Sequence, residues 1–271
     1  MHRFILSAFV AFAAFAQDPR QIIERAMAKD EQNLNLRDNY LCERRTRQII
    51  YEKDGRIKED TSKTHEVFYY DGTEIERLIA KNDVPLKDKD LAKEQERVDK
   101  EIEKIRKESP RERAKRRRES EKDKREEIEA RRELLEAFNF SFVGTKDING
   151  RPCWGIRGEP RPGFNGKGRR ADQMKKVRGV VWIDQGTYEL TRMELDTHDT
   201  ISFGWFLFRL QPGAKIQLEQ SLINNEVWLP RAVDIRADAR LLGRMLRIGI
   251  EMRYDKFRKF SSDSKLVTEG Q

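Results

Sequence analysis

Histidine is scarce. The chain has 3 among its 271 residues, and His2 lies in a stretch read below as a leader, which leaves His65 and His198. Two imidazoles that far apart leave little room for a histidine-based metal centre. Cysteine is as rare, at Cys42 and Cys153. That excludes a disulfide framework and leaves one disulfide or two separate thiols equally open. No Gly-x-Ser-x-Gly or His-Glu-x-x-His occurs, and the glycine-rich basic stretch at 163–170 lacks the Lys-Ser/Thr ending of a phosphate-binding loop. Asp196, His198 and Asp199 form the tightest cluster of catalytic residue types, and they read as a polar turn between strands. After residue 16 no apolar run approaches the ~20 residues that span a bilayer. The chain is therefore expected to be no enzyme and to carry neither metal nor cofactor.

Charge is abundant. Charged residues make up 38% of the chain and hydrophobic ones 37%, a poor ratio for a core, but one block at 87–136 holds much of the charge. Outside it the apolar content suffices for a sheet with one buried face. Met1 to Ala16 reads as a secretory signal: a basic start, an apolar run from Phe4, and Ala14-Phe15-Ala16 as a small-x-small cleavage site. Export to the periplasm is expected. The net charge of +8 then points to anionic membrane surfaces, with nucleic acid a poor partner outside the cytoplasm.

Local patterns give the order of elements. Asp18 before Pro19 caps a helix over 19–36 with Ile22, Ile23, Ala26 and Met27 on one face. Period-two strands follow at 39–51, 57–70 and 74–80, separated by Asp54-Gly55 and Asp71-Gly72. In 87–136 opposite charges recur three and four residues apart, which predicts exposed helix, and Ser109-Pro110 breaks it in two. This block reads as a solvated helical insertion. Strands resume at 140–147 and 152–158 around Asn149-Gly150, a turn of the primed type. An irregular basic loop then runs from 159 to 178.

The segment Gly179-Val-Val-Trp-Ile-Asp-Gln-Gly-Thr-Tyr-Glu-Leu-Thr-Arg-Met-Glu-Leu-Asp196 reads as a hairpin. Its second strand places Tyr188, Leu190, Arg192 and Glu194 on one face and Glu189, Thr191, Met193 and Leu195 on the other. The most hydrophobic strand is expected at 200–210, where Gly204 marks a bulge. Strands at 214–222, 227–237 and 240–257 close the series. The pattern gives about eleven strands in one strongly curved antiparallel sheet, a single domain over 17–260 with the charged insertion at 87–136 and a disordered polar tail at 261–271.

The export signal, the N-terminal helix, the Gly-x-Val-Trp-Ile-Asp segment at 179–184 with Leu190 to Leu195 after it, and the aromatic strand Ile201 to Phe208 together resemble the periplasmic lipoprotein-carrier superfamily. That group includes the lipoprotein-sorting chaperone, its outer-membrane receptor and a related anti-sigma-factor regulator. The resemblance implies a half-open β-barrel with helices in its mouth, a hydrophobic cavity, and no catalytic residues.

The expected function is binding of an acyl chain, lipid or lipoprotein, as in outer-membrane lipoprotein sorting, by a monomer. Trp182, Phe203, Trp205 and Phe208 are the candidate cavity residues. Arg161, Lys167, Arg169, Arg170, Lys175 and Lys176 are the candidate contacts to anionic headgroups or cargo. The alternative is an envelope signalling or scaffold protein that docks partners through the charged insertion.

Overall fold

The computed structural model describes residues 18–166, 172–203, 208–241 and 243–259. The leader, the tail, Trp205, Lys167, Arg169 and Arg170 lie outside them, as does the bulge expected at Gly204.

Helix α1 (Pro19–Arg37) begins where Asp18 accepts a hydrogen bond from the Arg20 amide at 3.0 Å, with Pro19 in the first turn. It leads into β1 (Tyr40–Tyr51), β2 (Ile57–Tyr70), β3 (Thr73–Lys81) and the two-residue β4 (Val84–Pro85). Helices α2 (Asp88–Arg106) and α3 (Pro110–Ala137) follow. The break between the helices is a full capping box: Ser109 accepts from the Glu112 amide, and Glu112 accepts from the Ser109 amide at 2.8 Å. Nine more strands complete the inventory, the first eight being β5 (Phe138–Ile148), β6 (Arg151–Pro160), β7 (Val177–Asp184), β8 (Leu190–Thr197), β9 (Ile201–Phe203), β10 (Phe208–Leu210), β11 (Lys215–Ile223) and β12 (Val227–Leu241). The last, β13 (Arg244–Lys259), ends the described chain. Asp71-Gly72, Asn149-Gly150 and Asn224-Asn225 all carry positive φ at both central positions, as primed hairpin turns require.

All strands belong to one antiparallel sheet, ordered β4-β3-β2-β1-β13-β12-β11-β8-β7-β6-β5, with the β9–β10 hairpin attached through β10 to β12. Strand β1 lies beside β13, so from β5 the sheet runs in chain order to its C-terminal strand and continues into the N-terminal ones. The two ends of the order, β4 and β5, do not pair. This is a half-open barrel.

Helices α2 and α3 are the connection between those two open edges. The block read as a solvated insertion is in part a packed element. Val98 and Ile105 of α2 are 0% and 7% exposed and close a cluster with Phe68 and Ile75 of β2 and β3. Their spacing of seven, with Ile102 between them, puts one apolar seam on an otherwise charged helix.

A second correction concerns 200–210. Phe203 is the register partner of Phe208, and Ile201 of Leu210, so the chain reverses between β9 and β10 instead of forming one long strand. The two cysteines are both free, with Cys153 buried on β6 and Cys42 half-buried on β1, six positions away in the sheet order.

Candidate binding cavity

The inner face of the sheet is defined by α1. Ile22, Ile23 and Ala26, all 7% exposed or less, pack on Ile156 of β6 and Ile183 of β7. Asn33 fixes the far end of the helix. Its side chain donates to the Trp228 carbonyl at 2.6 Å and accepts from the Trp228 amide at 3.0 Å, satisfying a buried stretch of β12. Helix α1 is tied to α3 by Arg20, which donates to the Leu135 carbonyl at 2.7 Å, and by Asp30, paired with Arg131 at 2.7 Å and with Arg37 of its own helix.

Between α1, the last turns of α3 and strands β5 to β8 lies a cavity of about 510 Å³. Ile23, Ala26 and Met27 form its roof together with Leu134. Phe138, Phe140, Val181, Ile183, Leu190, Met193 and Leu195 form its floor, and Met174 and Ile201 stand at one end. Four polar residues border it: Asp30, Arg131, Gln173 and Arg178. Asp30 and Arg131 are neutralised by their own pairing, and Arg178 is paired with Asp196 at 3.0 Å. A groove of about 620 Å³ on the outer face is walled mostly by charges from Arg157, Glu159, Glu194, Lys215, Asp234 and Arg253. Of these two, the inner cavity presents the continuous apolar wall.

Trp182 does not line the cavity. Its neighbours Val181 and Ile183 do, and period two sends Trp182 to the outer face. There its ring covers Gly155, where an added Cβ would stand 2.7 Å from the indole, and Lys146 lies 5.8 Å from the ring centre. The alternation expected for 188–196 fails as well. Leu190, Met193 and Leu195 all face inward because the β7–β8 register shifts between Trp182 and Ile183. Thr191 takes up the extra residue, buried at 2% exposure with its hydroxyl donating to the Trp182 carbonyl at 2.8 Å.

Of the cations expected around the cavity, three are described. Lys175 and Lys176 directly follow the cavity-lining pair Gln173 and Met174. Lys176 donates to the Thr200 carbonyl at 2.8 Å, and Lys175 is 3.7 Å from Asp172. Arg161 is exposed just past β6, where its amide donates to the Ala137 carbonyl at 2.7 Å. Asp196, His198 and Asp199 do not converge on a site: Asp196 pairs with Arg178, Asp199 lies 3.8 Å from Lys176, and His198 is exposed.

Two buried carboxylates sit where the β7–β8 loop meets α1. Asp184, 1% exposed, accepts from the Arg151 guanidinium at 2.7 and 3.0 Å, from the Gly186 and Thr187 amides, and from the Thr187 hydroxyl. Burial alone would raise its pKa, but the bonds from Arg151 and Thr187 outweigh it and hold the carboxyl below its ordinary value. Glu189 is the opposite case. It is 6% exposed, its Oε2 has no hydrogen-bond partner, and burial, with the Asp30 carboxylate nearby, pushes its pKa up to about 7.

No family model and no curated protein matches the sequence. Among solved structures, the chain is similar to a domain assigned to outer membrane lipoprotein sorting from Vibrio parahaemolyticus. The two share 9% identity over 90% of this chain and 95% of that one, with a TM-score of 0.38. It is also similar to a DUF1329 family protein from Desulfovibrio piger, at 12% identity over 89% and 93% of the two chains with a TM-score of 0.34. A LolA superfamily protein from Nitrosomonas europaea matches at 7% identity over 90% and 93%, with a TM-score of 0.31.

Proposed function

We propose that this chain is an exported, non-enzymatic binding protein that holds an acyl chain, from a lipid or a lipoprotein, between α1, α3 and strands β5 to β8. The observation that carries this reading is the cavity itself: about 510 Å³, within the ~300–1,000 Å³ of small-molecule sites, with an apolar roof and floor. An acyl chain gains about 0.8 kcal/mol for each methylene it buries. Nothing in the cavity wall would have to be left with an unpaired charge to accept one.

The rim suits an anionic end group. Lys175, Lys176 and Arg161 lie on the segment that borders it, and Lys167, Arg169 and Arg170 belong to the same segment; together they are proposed to meet the headgroup or the acidic flank of a cargo. Phe203, Trp205 and Phe208 follow Ile201 in sequence and are proposed to extend the cavity's end.

Native mass spectrometry of the purified protein, with organic extraction of bound material, tests the reading directly. The expected result is a copurifying lipid or acylated peptide. Two variants then locate the site by uptake of a fluorescent fatty acid, measured where circular dichroism shows both folded. Met193→Trp fills the floor and is expected to lower uptake about tenfold or more. Trp182→Ala alters the outer face and is expected to leave uptake unchanged. A ligand-free mass with no uptake by the wild type, or uptake indifferent to Met193→Trp, would overturn the assignment.

A further inference from the structure

Helix α3 carries a row of cations that its own stability does not explain. Arg111, Lys115, Arg118, Lys122 and Arg125 follow one another at steps of four and three residues, and all five are exposed. At 3.6 residues per turn they fall on one narrow face over about 21 Å of helix. Beyond Arg125 the same face turns acidic, with Glu129, Glu133 and Glu136. The cations thus gather toward the N-terminal end and the acids toward the C-terminal end, the reverse of what the helix dipole favours. Helix α2 provides the contrast within the same molecule. It has Asp88 and Asp90 in its first turn and Lys104 and Arg106 in its last, while α3 has no basic residue in its last turn.

Pairing does not account for the row either. Among the described residues Arg111, Arg118 and Arg125 make no ion pair, and Lys115 and Lys122 have only loose neighbours, Glu119 at 3.9 Å and Glu126 at 3.6 Å. The opposite side of the helix is anchored. Arg116 donates to the Asp71 carbonyl and carboxylate, both at 2.5 Å, and to Glu108 at 3.0 Å. The cationic face is therefore held outward by a fixed back.

We infer that this face of α3 docks the protein on an anionic lipid bilayer. A protein partner of comparable extent would need an apolar centre, and the five positions carry only long cationic side chains. A planar anionic surface needs nothing else, because each Lys or Arg near it contributes about 1 kcal/mol, or roughly fivefold in partitioning. The inference extends the acyl-binding reading, since α3 lines the cavity with Leu134 and Arg131 on its other side. It also stands apart from that reading, because fatty-acid uptake in solution requires no vesicle.

The test is co-flotation of the full chain with vesicles of phosphatidylcholine, with and without roughly one third phosphatidylglycerol to make the surface anionic. Binding is expected only to the anionic vesicles, weakening steeply as salt rises. Replacing Arg111, Lys115, Arg118, Lys122 and Arg125 with Gln is expected to lower it more than about tenfold. A matched variant with Lys89, Lys93, Lys100, Lys104 and Lys107 of the α2 segment replaced by Gln removes the same charge and is expected to lower it less than about threefold. Equal losses in the two variants would reduce the effect to net charge and overturn the assignment to α3. Absence of vesicle binding would overturn it too, and so would capture of a soluble acidic polypeptide such as polyglutamate in preference to vesicles. Unchanged fatty-acid uptake in the five-residue α3 variant would leave the cavity reading intact in each case.

Discussion

Replacing Asp184 with Ala is expected to destabilise the protein by about 2–4 kcal/mol, because several donors, two of them loop amides, lose a buried acceptor at roughly 1 kcal/mol or more each. Few side chains in the molecule satisfy as many donors at once. The carboxylate holds the bidentate Arg151 guanidinium from β6 and the two amides and hydroxyl of its own loop. Removal would leave the half-exposed Arg151 guanidinium to solvent and to the Trp228 ring, at 5.4 Å. It would also loosen the loop that sets the register of β8. Asp184→Asn keeps the shape and some of the acceptor capacity, so a smaller loss is expected.

The coupling can be read from a double-mutant cycle with Arg151→Met. The pair of changes is expected to be less damaging than Asp184→Ala plus Arg151→Met added together, because each partner's orphaned polar group disappears with the other. Additive losses in urea unfolding at pH 7 would show that the ion pair is incidental. The pH sign follows from a carboxyl held below its ordinary 3.8. Its contribution is complete above that value and is lost as the pH falls through the depressed one.

Much of the architecture could be read from short-range chemistry. Asp18-Pro19 and Ser109-Pro110 mark helix starts wherever they occur, because a cap and a proline act within one turn. Asn-Gly and Asp-Gly mark hairpins for the same local reason. The curved antiparallel sheet of about eleven strands followed from counting such signals, and its half-open form from the family resemblance. The identity of the cavity wall did not. Period two says that Val181 and Ile183 share a face and Trp182 takes the other, but it says nothing about which face is inner. That choice is made by where Ile22, Ile23 and Ala26 of α1 dock, on Ile156 and Ile183, far along the chain, and the larger indole was the wrong guide.

The bulge at Thr191 is likewise invisible to a strict alternation, and it moved Leu190 to the same side as Met193. The seam Val98–Ile102–Ile105 was present in the sequence, but scattered apolar residues in a charged block carry little weight until β2 and β3 supply Phe68 and Ile75 as partners. The role of α2 and α3 as the link between opposite edges depends on β1 pairing with β13, the least local contact in the sheet.

Glu189→Gln is expected to stabilise the protein above neutral pH and to change little in acid. In the native protein the carboxyl is buried beneath α1, with Lys29, Asp30 and Arg37 above it and Asp184 beside it. Burial dominates, the two carboxylates add to it, and the two cations fall short of compensating, so its pKa rises from 4.5 to about 7. A carboxyl with a raised pKa binds its proton more tightly when folded. Its favourable contribution is therefore complete below about 4.5 and is lost as the pH climbs through about 7. That gap of about 2.5 pH units corresponds to about 3 kcal/mol at 1.36 kcal/mol per unit.

Glutamine keeps the side chain's shape without the charge. Urea midpoints for the two proteins should nearly coincide at pH 5 and separate by pH 8 in favour of the variant. A constant offset at both pH values would mean that Glu189 does not titrate in this range. Because the charge lies under the helix that roofs the cavity, its ionisation is expected to weaken α1 before the rest of the sheet. In the wild type, amide protons of α1 at 22–33 should then exchange faster at pH 8 than the base-catalysed chemical rate accounts for, and Glu189→Gln should remove the excess.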